Sequence, residues 1–224
     1  MGWRVGGWRV VGLVGLGSTL VATALIATQA SREFYGVDHP VNLLFYSHVG
    51  VAWVGFVGLL VATVASIAFL RRPILRRSWI AQAAVRVSFA FITLTLLTGM
   101  MWGRFVWNSW WEWSDIRLVT ALVVWFIYAG YLLYHQQVDY LVGYRRGAAF
   151  CILAFVSVPI TVASTRLWQS PFHGSTVTTD SVTIHGPAFA LTLVGFSAIY
   201  YYLVSLRWRV QAAEHASERA SVGS

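Results

Sequence analysis

Six long apolar runs, separated by short polar loops, constrain the fold of this chain more than any other feature. Each is long enough for a helix that crosses the hydrocarbon core of a bilayer, which needs about 20 mostly apolar residues. The predicted spans are residues 10–30, 43–70, 80–102, 118–136, 148–165 and 185–206. Because 58% of the residues are hydrophobic and only 11% are charged, the composition also indicates an integral membrane protein. We therefore expect an all-α protein of six transmembrane helices, forming a single membrane domain over residues 1–224.

The first run is expected to remain as a transmembrane helix rather than to be cleaved as a signal peptide. It is longer than the apolar region of a typical signal peptide. Its closing alanines, Ala27 and Ala30, are also spaced too far apart for an A-x-A cleavage site.

The arginines predict the orientation of the spans, since the chain contains no lysine. Loops rich in positive charge stay on the cytoplasmic side of a membrane. One set of loops and termini carries most of this charge: Arg4, Arg9, Arg71, Arg72, Arg76, Arg77, Arg145, Arg146, Arg207, Arg209 and Arg219. We expect both termini, including a short tail at 207–224, to be cytoplasmic. The expected location is the cytoplasmic membrane of a bacterial or archaeal cell. The net charge of +8 then reflects topology and contact with lipid headgroups, and it does not indicate nucleic-acid binding.

A tryptophan-rich segment, MWGRFVWNSWWEWSDIRLV at residues 101–119, is the second informative feature. It holds five of the 12 tryptophans, namely Trp102, Trp107, Trp110, Trp111 and Trp113. Four charged residues lie among them: Arg104, Glu112, Asp115 and Arg117. Such a group suits a flat aromatic ligand bound at the membrane surface, and a belt of tryptophans at headgroup depth is the alternative. If the segment is helical, Trp107, Trp110 and Trp111 share one face and form a platform on the outer side of the membrane.

These residues resemble the tryptophan-rich WWD domain, which marks a family of haem-handling proteins of cytochrome c maturation. The resemblance rests on W-G-x-x-x-W-x-x-W-W-x-W followed by D-x-R-L, within residues 102–120. Ser114 stands between Trp113 and Asp115, whereas the family places the aspartate directly after the tryptophan. The length of the chain and its six predicted spans resemble the short CcmC type of this family.

The resemblance implies a haem-delivery protein that binds haem b transiently at its outer face. It implies handover of that haem to a CcmE-like periplasmic haem chaperone, together with CcmA-, CcmB- and CcmD-like subunits in the same bilayer. No bond chemistry is assigned to this chain, and whether it assists covalent attachment of haem to the chaperone stays open.

The histidines are the candidate ligands of the haem iron, because neutral imidazole is a common axial ligand. The predicted topology places His135 and His215 on the cytoplasmic side, away from the tryptophans. His48, in LLFYSHVG, and His173, in WQSPFHGST, resemble the two ligand segments that flank the WWD domain in the family. We expect these two to be the axial ligands, with His39 as the substitute for His48 and His185 as the substitute for His173.

Three arginines on the outer side are candidates for binding the haem propionates, because guanidinium pairs with carboxylate through two hydrogen bonds. They are Arg104, Arg117 and Arg166, and the tryptophans with Asp115 are expected to contact the rest of the ligand. The alternative is that these arginines pair with Glu112, Asp115 or lipid phosphate. Two other functions stay open for the whole chain: a permease for haem or another small solute, and a membrane cytochrome that carries electrons.

Overall fold

The computed structural model of the protein describes residues 7–29, 39–136, 140–168 and 179–222. Its described residues form seven α-helices joined by turns. The helices are α1 (Gly7–Gln29), α2 (His39–Arg71), α3 (Leu75–Val106), α4 (Ile116–Gln136), α5 (Tyr140–Ala154), α6 (Ser157–Leu167) and α7 (Thr179–Val222).

Five stretches within the described residues are long and apolar enough to cross a bilayer. They are Leu44–Arg71, Leu75–Val106, Ile116–His135, Gly143–Ser164 and Pro187–Ser221, and α1 contributes a shorter apolar stretch, Arg9–Ala24. Each of the last five predicted runs coincides with one of these stretches, so the all-helical membrane character is confirmed. The count of six spans and the cytoplasmic placement of the termini stay predictions.

The predicted fifth span is one apolar stretch made of two helices, α5 and α6, with a break at Phe155 and Val156. Pro159 explains the break, because a proline has no N–H to donate and its ring clashes with the carbonyl four residues earlier. That carbonyl belongs to Phe155, and it accepts a tighter bond from the N–H of Val158 at 3.0 Å instead. The chain thus passes from α5 into α6 with its backbone bonds rearranged.

Contacts between α3 and α7 show that these two helices run in opposite directions. Ser88 on α3 is 3.1 Å from the hydroxyl of Tyr200 on α7. Nearer the start of α3, the side chain of Gln82 accepts a bond of 3.3 Å from Gln211, which lies further along α7. Two glycines of α2 show that this helix runs in the same direction as α7, because Gly50 faces Thr192 and the later Gly58 faces the later Tyr200. Helices α2 and α7 are therefore parallel.

These directions sort the helix ends into two groups, at opposite ends of the bundle. One group surrounds the tryptophan-rich segment and is called the tryptophan end here: it holds the start of α2, the end of α3, the starts of α4 and α7, and the end of α6. The other group is called the arginine end: it holds Arg9, Arg71, Arg72, Arg76, Arg77, Arg145, Arg146, Arg207, Arg209 and Arg219. The separation of charge that the sequence predicts is present within the described residues.

The core of the bundle surrounds α3, which packs against α2, α4, α5 and α7. Small residues at 81, 83 and 84 of α3 are fully or almost fully buried and let the neighbouring helices approach closely. One polar contact links α3 to α4, because the indole N–H of Trp125 donates to the Thr93 hydroxyl at 2.9 Å. The packing therefore places α3, the helix whose last turns carry Trp102, at the centre of the bundle.

Candidate functional site

His48 lies on the inward-facing side of α2, close to the tryptophan end. It comes nine residues after the start of the helix, about 13 Å along the axis. The ring is half-buried and meets α3 at two consecutive residues. Its Nδ1 atom is 3.1 Å from the hydroxyl oxygen of Thr98, and its Cε1 atom lies over Gly99. The predicted ligand is thus held between two helices.

An aromatic contact next to His48 closes the space between α2 and α3. Trp102 is only 6% exposed, and its ring centroid is 5.3 Å from that of Phe45, one turn before His48. Trp102 follows Thr98 by one turn on α3, so the Phe45–Trp102 pair lies between His48 and the tip of the tryptophan end. The first of the five tryptophans therefore packs between helices and fixes the place of its neighbours.

The segment after Trp102 is not a continuous helix, and the predicted helical platform of Trp107, Trp110 and Trp111 is wrong. Helix α3 ends at Val106, and residues 107–115 form turns. The carbonyl of Gly103 accepts bonds from the N–H groups of Trp107 at 2.8 Å and Ser109 at 3.4 Å.

The reason for this ending is a left-handed backbone conformation at Asn108, whose φ is 57°. Asparagine tolerates that conformation better than most residues, and it commonly ends helices in this way. The Arg104 guanidinium, in the last helical turn of α3, donates to both the carbonyl and the side-chain oxygen of Asn108. These bonds fix the conformation of the chain just after the helix.

The turn that replaces the platform presents two tryptophans outward. Trp110 is 56% exposed and Trp113 is 73% exposed. Trp111 is half-buried and meets Trp113 edge to face, with 5.6 Å between the ring centroids. Its indole N–H is buried and has no hydrogen-bond partner among the residues that the structure describes. The segment therefore offers an exposed aromatic surface together with one buried donor.

Asp115 has a structural position that sequence reasoning did not find. Its side chain is fully buried, and Oδ1 accepts a bond of 2.9 Å from the backbone N–H of Arg117. This is the N-cap arrangement at the start of α4, in which a short acidic side chain accepts from the second residue of the helix. The shift caused by Ser114 thus leaves an aspartate at the residue before α4, where it fixes the junction between the tryptophan turn and the helix.

The three candidate propionate arginines have different surroundings. The exposed side chain of Arg104 bonds to Asn108, and Arg117 is half-buried at the start of α4. The side chain of Arg166 lies outside the described residues. The predicted pairing of Arg104 or Arg117 with a carboxylate of a ligand is therefore untested, and Arg104 has a second role in shaping the turn.

Of the other candidate ligands, His173 lies outside the described residues. His39 and His185 are described only as backbone positions at the starts of α2 and α7. The described residues that flank His173 are Trp168, directly after the end of α6, and Thr179, which begins α7, and both helix ends are at the tryptophan end. Within the described part of the chain, no group of three or more His, Cys, Asp or Glu side chains could hold a metal ion by itself.

His135 and His215 lie at the arginine end, as the sequence predicts. His215 packs on Trp79 near the start of α3, with 5.5 Å between the ring centroids. Trp79 is 23 residues from Trp102 on the same helix, a separation of about 35 Å. His135 contacts Tyr131, with ring centroids 4.6 Å apart. Neither histidine can share a ligand with the tryptophan segment across that distance.

The residues that sequence reasoning missed are Phe45, Thr98 and Gly99. They belong to apolar runs in which every residue has a packing explanation, so no local pattern distinguishes them. Only the crossing of α2 over α3 brings them to His48.

The structure defines a class of protein: a helical protein with several stretches long enough to span a membrane, in which one end combines a histidine with an exposed tryptophan turn. Comparison with known proteins identifies the family. The family model described as Cytochrome C assembly protein matches residues 9–173. The chain belongs to this family, as a member of the CcmC type.

Three relatives illustrate the similarity. The chain is 32% identical over 145 residues to "Heme exporter protein C" of Haemophilus influenzae, covering 62% of this chain and 58% of that protein. It is 30% identical over 190 residues to the protein of the same name from Bradyrhizobium diazoefficiens, covering 84% of this chain and 66% of the relative. A third, from Paracoccus denitrificans, is 25% identical over 219 residues, with 93% and 88% covered. The chain thus spans less than two thirds of the length of the first two relatives.

Proposed function

We propose that this protein binds haem at the tryptophan end of the bundle and hands it to a periplasmic haem chaperone during cytochrome c maturation. His48 and His173 are the axial ligands of the haem iron in this proposal. The observation that carries it is the position of His48, half-buried between α2 and α3 and next to the Phe45–Trp102 pair at the tryptophan end. The names of the relatives, which refer to heme export, support the same cargo.

The tryptophan turn supplies the contact surface for the cargo. A porphyrin is flat and apolar over most of its area, and indole rings stack on such surfaces or meet them edge to face. Trp110 and Trp113 are exposed beyond the end of α3, and Trp111 brings a buried N–H donor to the same turn. We assign the propionates of haem to Arg117 and Arg166, with Arg104 bound to the turn as a weaker partner.

The orientation in the membrane follows from the arginine end. Ten of the arginines in the described residues collect there, and positive loops stay in the cytoplasm. The tryptophan end then faces the periplasm or the exterior, where a CcmE-like chaperone can dock on the exposed tryptophans. CcmA-, CcmB- and CcmD-like subunits are the proposed partners within the membrane.

A cargo site for handover should release haem as well as bind it. His48 and the exposed tryptophans lie near one end of the spans, which is the end where the proposed chaperone docks. A membrane cytochrome would instead favour paired histidines at mid-depth. Among the described residues the histidines within the spans lie near the span ends: His48 near one end of the bundle, and His135 and His215 near the other.

The test is an absorption spectrum of the purified protein, comparing the unchanged chain with His48→Ala and His173→Ala. The control variants are His135→Ala and His215→Ala, which change histidines at the arginine end. We expect the Soret band of bound haem to weaken or shift in the first two variants and to stay unchanged in both controls. Equal haem in all five proteins would refute the ligand assignment and direct attention to His39 and His185.

A permease is the alternative that a second experiment separates. Membranes in which haem is supplied only from the outer face should still load the site if the protein acts by binding and handover. Loading that requires haem on the cytoplasmic side would favour transport through this chain.

A further inference from the structure

We propose that Thr98 and Gly99 of α3 position His48 for haem, so that Nε2 is the atom that binds the iron. This inference rests on the proposed function and names two residues that neither the tryptophan segment nor the histidine pattern indicates. Thr98 determines that Nδ1 of His48 carries the ring hydrogen, and Gly99 leaves space for the ring.

The direction of the hydrogen bond between Thr98 and His48 follows from the other bonds of the threonine. A threonine hydroxyl has one hydrogen to donate and can accept two bonds. The Thr98 hydroxyl is 2.7 Å from the carbonyl of Leu94 and 3.2 Å from that of Thr95, and carbonyls only accept. Its hydrogen is therefore used within α3. The hydroxyl oxygen must accept from His48, whose Nδ1 lies 3.1 Å away.

A histidine that donates from Nδ1 carries its free electron pair on Nε2 when it is neutral. Metal-binding histidines commonly donate from the second ring nitrogen to an acceptor in this way, which holds the ring plane and makes the first nitrogen a better ligand. Thr98 gives His48 this arrangement before any iron is bound. A hydroxyl is a neutral acceptor, so it strengthens the ligand less than a carboxylate would, and this suits a cargo that must leave.

Gly99 gives the ring its place on the surface of α3. A Cβ atom at this residue would lie 2.9 Å from Cε1 of His48, closer than real Cβ atoms approach, while its distance of 3.5 Å from Nδ1 is an ordinary contact. Alanine there would push the ring away from Thr98 and rotate Nε2. Glycine in the middle of a helix is normally unfavourable, so its occurrence here is explained by the need for this contact.

The experiment titrates the full chain in lipid nanodiscs with haemin and then measures the rate at which haemin leaves for excess apomyoglobin. The variants are Thr98→Val, which keeps the shape and removes the acceptor, and Thr98→Ser, which keeps the hydroxyl. Thr95→Val is the matched control. Thr95 is a buried threonine one turn away on α3, and its hydroxyl donates to the Phe91 carbonyl.

We expect Thr98→Val to release haemin about tenfold faster or more, the range typical of lost partners of metal-ligating histidines. Thr98→Ser and Thr95→Val should stay within about twofold of the unchanged protein. The electron paramagnetic resonance spectrum of the ferric complex should change in Thr98→Val and recover in Thr98→Ser, which a general loss of stability would not produce.

Three outcomes overturn the inference, and they differ in what they mean for the proposed function. If His48→Ala loses its low-spin haem spectrum while Thr98→Val releases haemin at the unchanged rate, His48 is a ligand but Thr98 does not position it. If His48→Ala keeps the unchanged spectrum, His48 is not a ligand, and both the assignment and its positioning by Thr98 are wrong. Equal acceleration in Thr98→Val and Thr95→Val would also overturn it, because the effect would then belong to α3 as a whole.

Discussion

His48 and His135 are alike in several ways, yet they have opposite surroundings. Both are half-buried, both lie on apolar helices, and both pack against a glycine of the next helix, Gly99 and Gly147. His48 places a carbon atom over its glycine and bonds through Nδ1 to Thr98. His135 places Nε2 itself against its glycine.

The difference teaches that the neighbours of a membrane histidine decide whether it can be a ligand. Nε2 of His135 is buried and without a hydrogen-bond partner in the described part of the chain. The ring is enclosed by Tyr131 and Tyr134, with centroids 4.6 Å and 5.8 Å away. Iron could reach that nitrogen only if α5 moved. At the tryptophan end, the polar bond of His48 is on the side of Thr98, and an exposed aromatic turn lies beyond it.

Trp102→Ala is expected to have the largest effect on the tryptophan end. Removing a buried tryptophan from a packed site costs about 3–5 kcal/mol, and it also removes the ring that Phe45 contacts beside His48. We expect a large fall in the thermal unfolding midpoint together with loss of haem. The matched variant is Trp113→Ala, which changes a side chain that is 73% exposed. A similar fall in unfolding midpoint for both variants would contradict the assignment of a packing role to Trp102 alone.

Gly147→Ala tests the enclosure of His135 at the arginine end. The added Cβ would overlap Nε2 of His135, and such overpacking costs about 1–3 kcal/mol. Thermal unfolding should therefore occur at a lower temperature, while haem binding stays unchanged. The double variant with His135→Ala should recover most of the loss, because the ring that the methyl group meets is gone. Failure of the double variant to recover would show that the ring is not the source of the strain.

Asp115→Ala tests the junction between the tryptophan turn and α4. Loss of an N-cap side chain costs about 0.5–2 kcal/mol, and the N–H of Arg117 would lose its acceptor. We expect lower stability and faster proteolysis within residues 107–115, measured by limited digestion. Asp115→Asn keeps a capping oxygen and should show the smaller effect. If Asp115→Asn and Asp115→Ala lose equal stability, the site needs the negative charge of the aspartate rather than its capping oxygen.

Gly99→Ala should have the smallest effect on stability and a clear effect on haem. Alanine favours a helix over glycine by up to about 1 kcal/mol, which offsets the contact of the new methyl group with His48. We expect the free energy of unfolding to change by less than that amount, measured by thermal unfolding, while the affinity for haemin falls. Equal haemin affinity in the variant and the unchanged protein would show that the ring tolerates displacement.

The fold could be predicted from hydropathy because membrane spans are long and their composition is distinctive. The predicted spans locate α2 and α4 closely. They also miss that α3 starts at Leu75 and that α7 continues to Val222, since both extensions consist of mixed residues that a hydropathy window does not separate from loops. Pro159 lies in the predicted fifth span, and its effect on the backbone is local, so the break could have been predicted from that residue alone.

The candidate site was predictable only in part. The tryptophan segment and the CcmC-type family could be recognised from residue order, and the family is confirmed. The helical platform was wrong, because helical spacing describes a segment only if it stays helical, and Asn108 ends it. Thr98 and Gly99 could not be found, because their importance arises from a helix crossing between residues 50 positions apart in the sequence.

The most direct measurement is a cryo-electron microscopy structure of the full chain in nanodiscs with haemin bound. The account predicts porphyrin density at the tryptophan end, with iron bonded to Nε2 of His48 and Nδ1 still within hydrogen-bond distance of the Thr98 hydroxyl. Porphyrin density at the arginine end beside His135, or iron bonded to Nδ1 of His48 with the threonine contact broken, would contradict it.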